Sequence, residues 1–145
     1  MINIIVGTET GTAEYVADEI VNLLNEHRLD ASITLTADLN ELIESNYWII
    51  CTSTHGAGDV PNNLQPLLKQ LEQNKADLSQ IKFIIIALGD SSYDTYCQAG
   101  KTIQDILIKQ HAQPLANIIE IDAMDDDMPE DIAIEQLKNI IEKLN

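Results

Sequence analysis

Positive charge is scarce in this chain. Eight Lys and Arg stand against 24 Asp and Glu, a formal net charge of −16. Phosphate backbones repel such a surface, so nucleic acid is not an expected partner. Anionic membrane is disfavoured for the same reason. A basic protein would instead be attracted and steered over long range, although the same charge also serves plain solubility. Cysteine is scarce as well. Cys51 and Cys97 are far apart and form no CxxC pair, which leaves metal and dithiol sites without support. Cys51 follows Ile49 and Ile50 in an apolar run and reads as a core residue. No window approaches the roughly 18 consecutive apolar residues of a membrane span. The start, Met1-Ile2-Asn3-Ile4-Ile5-Val6-Gly7, has no basic segment and no small-residue cleavage site, so a cytoplasmic address is expected. The length of 145 residues fits one domain over the whole chain, and no long apolar face is left over, so a monomer is expected.

Strand and helix signals alternate along that length. Ile2 to Val6 is a short branched apolar run, as in a strand buried on both faces. Thr12 to Asn25 carries Ala13, Val16, Ala17, Ile20, Leu23 and Leu24 at helical spacing, with Glu14 near its start. Ser32 to Thr36 alternates like an exposed strand, and Leu39 to Glu44 is a short helix. Tyr47 to Ser53 is a second buried strand, and Asn63 to Asn74 is helical after Pro61. Lys82 to Leu88 is the strongest strand, followed by a helix from about Gln98 to Gln110. Asn117 to Ile121 reads as the last strand, and Pro129 to Leu144 as the last helix, with Pro in its first turn. Five β-α units without repeats or linkers predict an α/β fold: a doubly wound five-stranded parallel sheet with helices on both faces and right-handed crossovers. Ligands then bind beyond the carboxyl ends of the strands, at the switch in strand order.

Glycine is rare and unevenly placed. Of six, Gly7 and Gly11 flank the loop after the first strand, Gly56 and Gly58 lie after the third, Gly89 opens the loop after the fourth, and Gly100 follows shortly after. Packing alone does not explain that grouping, because glycine marks close backbone approach or positive φ. The first loop, Gly7-Thr8-Glu9-Thr10-Gly11-Thr12-Ala13-Glu14, joins a buried strand to a helix start. Its backbone N–H groups and Thr hydroxyls can surround a phosphate, though a Thr-rich turn can also simply cap a helix. It has no Lys for a GxxxxGK[ST] nucleotide loop, and its glycines are spaced wrongly for GxGxxG, so Asp38 gains no support as a ribose-binding acid. The second loop, Thr52-Ser53-Thr54-His55-Gly56-Ala57-Gly58-Asp59, and the third, Leu88-Gly89-Asp90-Ser91-Ser92-Tyr93-Asp94-Thr95-Tyr96-Cys97, offer hydroxyls, mobile backbone and two aromatics. A planar heteroaromatic ring needs a face to stack on and backbone groups at its polar edge.

With these three loops in order at the strand ends, the chain resembles the short-chain flavodoxins and is similar to the FMN domains of diflavin reductases. Met124-Asp125-Asp126-Asp127 matches the acidic turn after the last strand of those domains. The resemblance implies the strand order 2-1-3-4-5 and one FMN as cofactor. Thr8, Glu9 (through its backbone), Thr10, Gly11, Thr12 and Ala13 would wrap the phosphate. Ser53, Thr54, His55, Gly56, Ala57 and Gly58 would run along one side of the isoalloxazine, with a carbonyl in the Gly56 to Gly58 turn accepting from N5 of the reduced flavin. Leu88, Gly89, Asp90, Tyr93, Tyr96 and Cys97 would run along the other side, with Tyr93 stacked on the ring. His55 stands where many relatives carry Tyr or Trp, and imidazole stacks less extensively, so weaker FMN retention or a shifted potential is expected. No catalytic residue and no metal ligand are implied.

The resemblance points to an electron carrier served by a flavodoxin reductase and delivering to a redox enzyme with a basic docking surface. Within the family it is greatest to a small subgroup linked to biotin synthesis. Asp59, Asp90, Asp94 and Asp125 to Asp127 would lie near the cofactor, where negative charge lowers the second reduction potential. The alternative is a small flavin-dependent NAD(P)H oxidoreductase, for which a chain this short offers little room above the flavin. A signalling receiver on the same fold is excluded: Gly7-Thr8, Thr52-Ser53-Thr54 and Ile121-Asp122 stand where its acids, phosphorylated Asp and Lys belong.

Overall fold

The apolar run at the start of the chain forms β1 (Ile2–Gly7) in a computed structural model that describes residues 1–9, 11–54, 58–74 and 77–144. It is followed by α1 (Thr12–Glu26), β2 (Ala31–Thr34), α2 (Leu39–Leu42), β3 (Tyr47–Ser53), a 3-10 turn (Asn62–Leu64) and α3 (Gln65–Asn74). Then come β4 (Lys82–Gly89), α4 (Gln98–Lys109), β5 (Gln113–Pro114), β6 (Ile119–Asp122), α5 (Pro129–Lys138) and a final 3-10 turn (Ile141–Leu144). All strand pairs are parallel, in the order β2-β1-β3-β4-β5, with β6 also on β4. This is the doubly wound order expected from the resemblance. Among the described residues no helix is long and apolar enough to cross a membrane.

The period of two along each strand divides the core. Ile5, Trp48, Ile50, Phe83, Ile85 and Ala87 point to one face, under α2, α3 and α4. Ile4, Val6, Ile49, Cys51, Ile84 and Ile86 point to the other, under α1 and α5. The six apolar residues read as the inner face of α1 are all buried. Each Leu or Ile so buried contributes about 1.5–3 kcal/mol relative to exposure. Trp48 is fully buried and donates its Nε1–H to the carbonyl of Leu42 at 3.0 Å, which fixes the end of α2 against β3. Gly100 lets α4 lie close on β4, since a Cβ there would meet the Cβ of Ala87 at 2.7 Å.

Three elements differ from the sequence expectation. The fifth position in the sheet holds two short strands rather than one. Phe83 pairs with Pro114 and Ile86 with Ile119, so three steps along β4 are matched by five along its neighbour. Pro114 has no N–H to donate, which suits an edge strand that bulges after it. The helix expected from Asn63 begins as the 3-10 turn behind Pro61 and becomes α-helical at Gln65. The last helix tightens after Asn139, and Ile141 and Leu144 reach the core from a 3-10 turn.

Candidate functional site

The carboxyl ends of β3, β4 and β6 and the start of α1 open into a cleft of about 540 Å³, within the range of small-molecule sites. Thr12, Ser53, Thr54, Leu88, Gly89, Asp90, Tyr93, Thr95, Tyr96, Ile121, Ala123 and Pro129 line it. Eight of these are candidates from the sequence, and they come from all three glycine-bearing loops. Thr95, Ile121, Ala123 and Pro129 are not. For the last three the signal was available, because the fifth strand must end at the same edge of the sheet as the other strands; Thr95 sits within the third loop itself.

The first loop turns from β1 into α1 around Gly11, which caps the helix at φ 95° with no side-chain hydrogen bond to the helix start. The first N–H groups of an α-helix have no intrahelical partner, so this start retains donors for an anion. Thr8 and Gly11 spend their own N–H groups otherwise. Thr8 N–H donates to Asn63 Oδ1 at 3.0 Å, and Gly11 N–H donates to Thr8 Oγ1 at 2.8 Å. Glu9 is exposed, and its carboxylate accepts from Asn62 N–H at 2.8 Å. Ala13 is fully buried in the core beneath the loop. Thr10 lies outside the described residues.

In the second loop, Ser53 Oγ donates to the Gly7 carbonyl at 3.4 Å, and Thr54 Oγ1 accepts from Ala99 N–H at 3.4 Å, in the first turn of α4. His55, Gly56 and Ala57 lie outside the described residues. Gly58 has φ 102°, and a Cβ there would meet Thr95 at 3.1 Å, so the second loop closes against the third where only glycine fits easily.

The third loop is held by carboxylates. Asp90 Oδ1 accepts from Ser92 N–H at 2.9 Å, and Asp122 Oδ1 accepts from Ser91 N–H at 3.0 Å. Tyr93 is 67% exposed and stands at the cleft with its ring free to present a face. Tyr96 is half-buried, and burial, with the neighbouring Cys97 adding to it, holds its phenol well above the usual range. Cys97 does not line the cleft. It is fully buried in left-handed backbone at φ 54°, and its thiol donates to the Ala87 carbonyl at 3.3 Å. Burial pushes that thiol up to about 11. Its position explains Gly89: a Cβ there would sit 2.8 Å from the Cys97 nitrogen. Asn63 and Asp122, which brace the loops from outside, are not candidates on sequence grounds.

Around this geometry the comparisons are consistent. The chain is 37% identical over 136 residues to the protein MioC of Escherichia coli K12, covering 94% of this chain and 92% of that one. A solved cysteine-to-alanine mutant of a flavodoxin from Pseudomonas aeruginosa superposes with a TM-score of 0.88 at 30% identity, over 95% of this chain and 94% of that one. A Fusobacterium nucleatum flavodoxin, solved bound to flavin mononucleotide, shares the fold with a TM-score of 0.83 at 17% identity, over 98% of this chain and 97% of that one. The sequence model of the flavodoxins matches residues 4–135, a span that includes all three loops of the cleft, and the chain belongs to that family.

Proposed function

We propose that the chain is a one-FMN electron carrier that takes electrons from a reductase and passes them to a redox enzyme. The observation that carries this reading is the joining of a helix start that no side chain caps among the described residues to a ring-sized cleft. Thr12 belongs to both, and among the described residues no Lys or Arg lines the cleft. Helix N–H donors suit a single monoester without a basic counter-charge. Leu88 and Ile121, both buried, give an apolar floor that excludes water, and Tyr93 and Tyr96 supply aromatic surface for a planar ring. These features fit FMN, the cofactor that family membership supports.

In this reading the N–H groups at the start of α1 hold the phosphate. Ser53 and Thr54 border the ring on one side, and Leu88, Gly89, Asp90 and Tyr93 on the other. Bound FMN would supply the electron acceptance and release, while the protein supplies position, dryness and charge. The donor is a flavodoxin reductase, and the acceptor carries a basic surface complementary to the acids around the cleft. Biotin synthesis is the setting suggested by the subgroup the sequence resembles. A cytoplasmic monomer completes the proposal.

The experiment is a visible absorption titration of flavin-free protein with FMN, riboflavin and FAD, followed by addition of NADPH. Tight FMN binding, weaker riboflavin binding and no rapid NADPH oxidation support the carrier. Absence of flavin binding would sink the reading, and rapid direct oxidation of NADPH would move it to an oxidoreductase.

A further inference from the structure

Asn63 stands on the 3-10 turn Asn62–Leu64, outside the three glycine-bearing loops, and is half-buried. Its Oδ1 accepts from Thr8 N–H at 3.0 Å, and its Nδ2 donates to the carbonyls of Val6 at 2.6 Å and Leu35 at 2.9 Å. The partners dictate the orientation of the amide, because an N–H requires an acceptor and two carbonyls require a donor. The last register pair between β1 and β2 is Ile5 with Thr34. Val6 and Leu35 are therefore the residues at which the two strands part. The Asn63 side chain bridges that gap and reaches past the strand end to the first residue of the loop. The backbone of Asn62 holds the same loop through Glu9.

We infer that Asn63 is a positioning residue for the FMN phosphate, acting through Thr8. The inference rests on reading the first loop as the phosphate cradle. Asn63 fixes Thr8, the Thr8 hydroxyl fixes the N–H of Gly11, and Gly11 is the left-handed residue from which α1 departs. The direction of the open helix donors is thus set before any anion arrives. Without Asn63, ordering the loop would consume part of the phosphate binding energy. Leu88, Tyr93 and Tyr96, which line the cleft, stand on other elements, so the effect is confined to the phosphate end.

The test compares FMN with riboflavin, by flavin-fluorescence titration of flavin-free protein. Asn63→Asp keeps the shape and the acceptor for Thr8 but turns an oxygen towards two carbonyl oxygens; Asn63→Ala removes all three bonds. Both variants are expected to lose roughly tenfold or more in FMN affinity while riboflavin affinity stays within about twofold. Equal losses for both flavins, or no loss for either, overturn the inference. Should neither variant fold, amide hydrogen exchange of flavin-free wild type decides: a protected Thr8 N–H supports the brace, and an unprotected one removes it. A wild type that holds riboflavin as tightly as FMN sinks the cradle reading and this inference together. A wild type that discriminates, with variants that discriminate equally well, sinks only the role of Asn63.

Discussion

A single carboxylate oxygen of Asp122 accepts hydrogen bonds from the backbone N–H of Ser91, at 3.0 Å, and of Met124, at 2.9 Å. Asp122 ends β6, Ser91 belongs to the loop after β4, and Met124 opens the acidic loop, so this oxygen clamps two walls of the cleft together. Hydrogen bonds from the Ser91 side chain, then from the Met124 and Ser91 amides, hold the Asp122 carboxyl below the usual carboxylate range.

A carboxyl lowered in the folded state stabilises above its unfolded value of about 3.9, and that stabilisation is lost as pH falls through the folded value. Acidification from neutral pH through that folded value is therefore expected to release the clamp. Hydrogen exchange of the Ser91 and Met124 amides, normalised to amides in β3, should accelerate on acidification in wild type. In Asp122→Ala both should exchange as open amides throughout. Unchanged protection in that variant would show that the loops are held by something else.

Two glycines separate backbone strain from steric crowding. Gly11 has φ 95° and open space around its missing Cβ. Gly11→Ala should cost only the left-handed strain of about 1–2 kcal/mol. Gly100 would place its Cβ 2.7 Å from that of Ala87 and 3.3 Å from Ile85 Cγ2. Gly100→Ala should push α4 from the sheet at about 1–3 kcal/mol. Adding Ala87→Gly should then make the double variant less destabilised than the sum of the singles in urea unfolding. Strict additivity would mean that α4 already has room.

The strands of the sheet were legible because Ile2 to Val6, Tyr47 to Ser53 and Lys82 to Leu88 are apolar runs that only a doubly covered sheet can bury. The inner face of α1 was legible from its spacing. At the β4 edge, β6 was legible as the strand read from Asn117 to Ile121, whereas β5 was not, because two residues before a bulge after Pro114 leave no hydrophobic pattern that distinguishes them from a turn. Among the site residues, glycines and hydroxyls at strand ends were visible as a type. Asn63 and Asp122 were not, since each acts on backbone groups distant in sequence, and a lone polar residue beside a turn looks like solvated surface. Cys97 sits in the third loop by sequence but beneath the cleft in space, and neither its positive φ nor its buried thiol has a local sequence signal.

The two thiols should be inert in the folded protein. Cys51 is fully buried and donates to the Ala13 carbonyl at 3.5 Å, and burial pushes it up to about 12. Cys97 is pushed up to about 11 by burial. The thiolate is the reactive form, so at pH 8 neither group is activated. A disulfide-exchange reagent should titrate no fast thiol in native protein and two in denaturant. A fast native thiol would place Cys97 in a more open setting than its burial indicates.

The acids after β6 give the last prediction. Asp125, Asp126 and Asp127 are exposed, and they lie between Ala123 and Pro129, both of which line the cleft. Asp125 accepts the Asp127 N–H at 3.0 Å, which folds the run into a turn and keeps its charges together. They act in a chain with a formal net charge of −16. Negative charge beside a bound flavin opposes the addition of electrons, and it attracts a basic partner over about a Debye length, ~10 Å at 0.1 M salt. Replacing the three by Asn should therefore make the reduction potential of bound FMN less negative. It should also slow association with a basic reductase and flatten the salt dependence of that rate. Both effects should shrink as ionic strength rises. If the potential and the salt slope are those of wild type, the run is a solvated loop that tunes neither the flavin nor its partner.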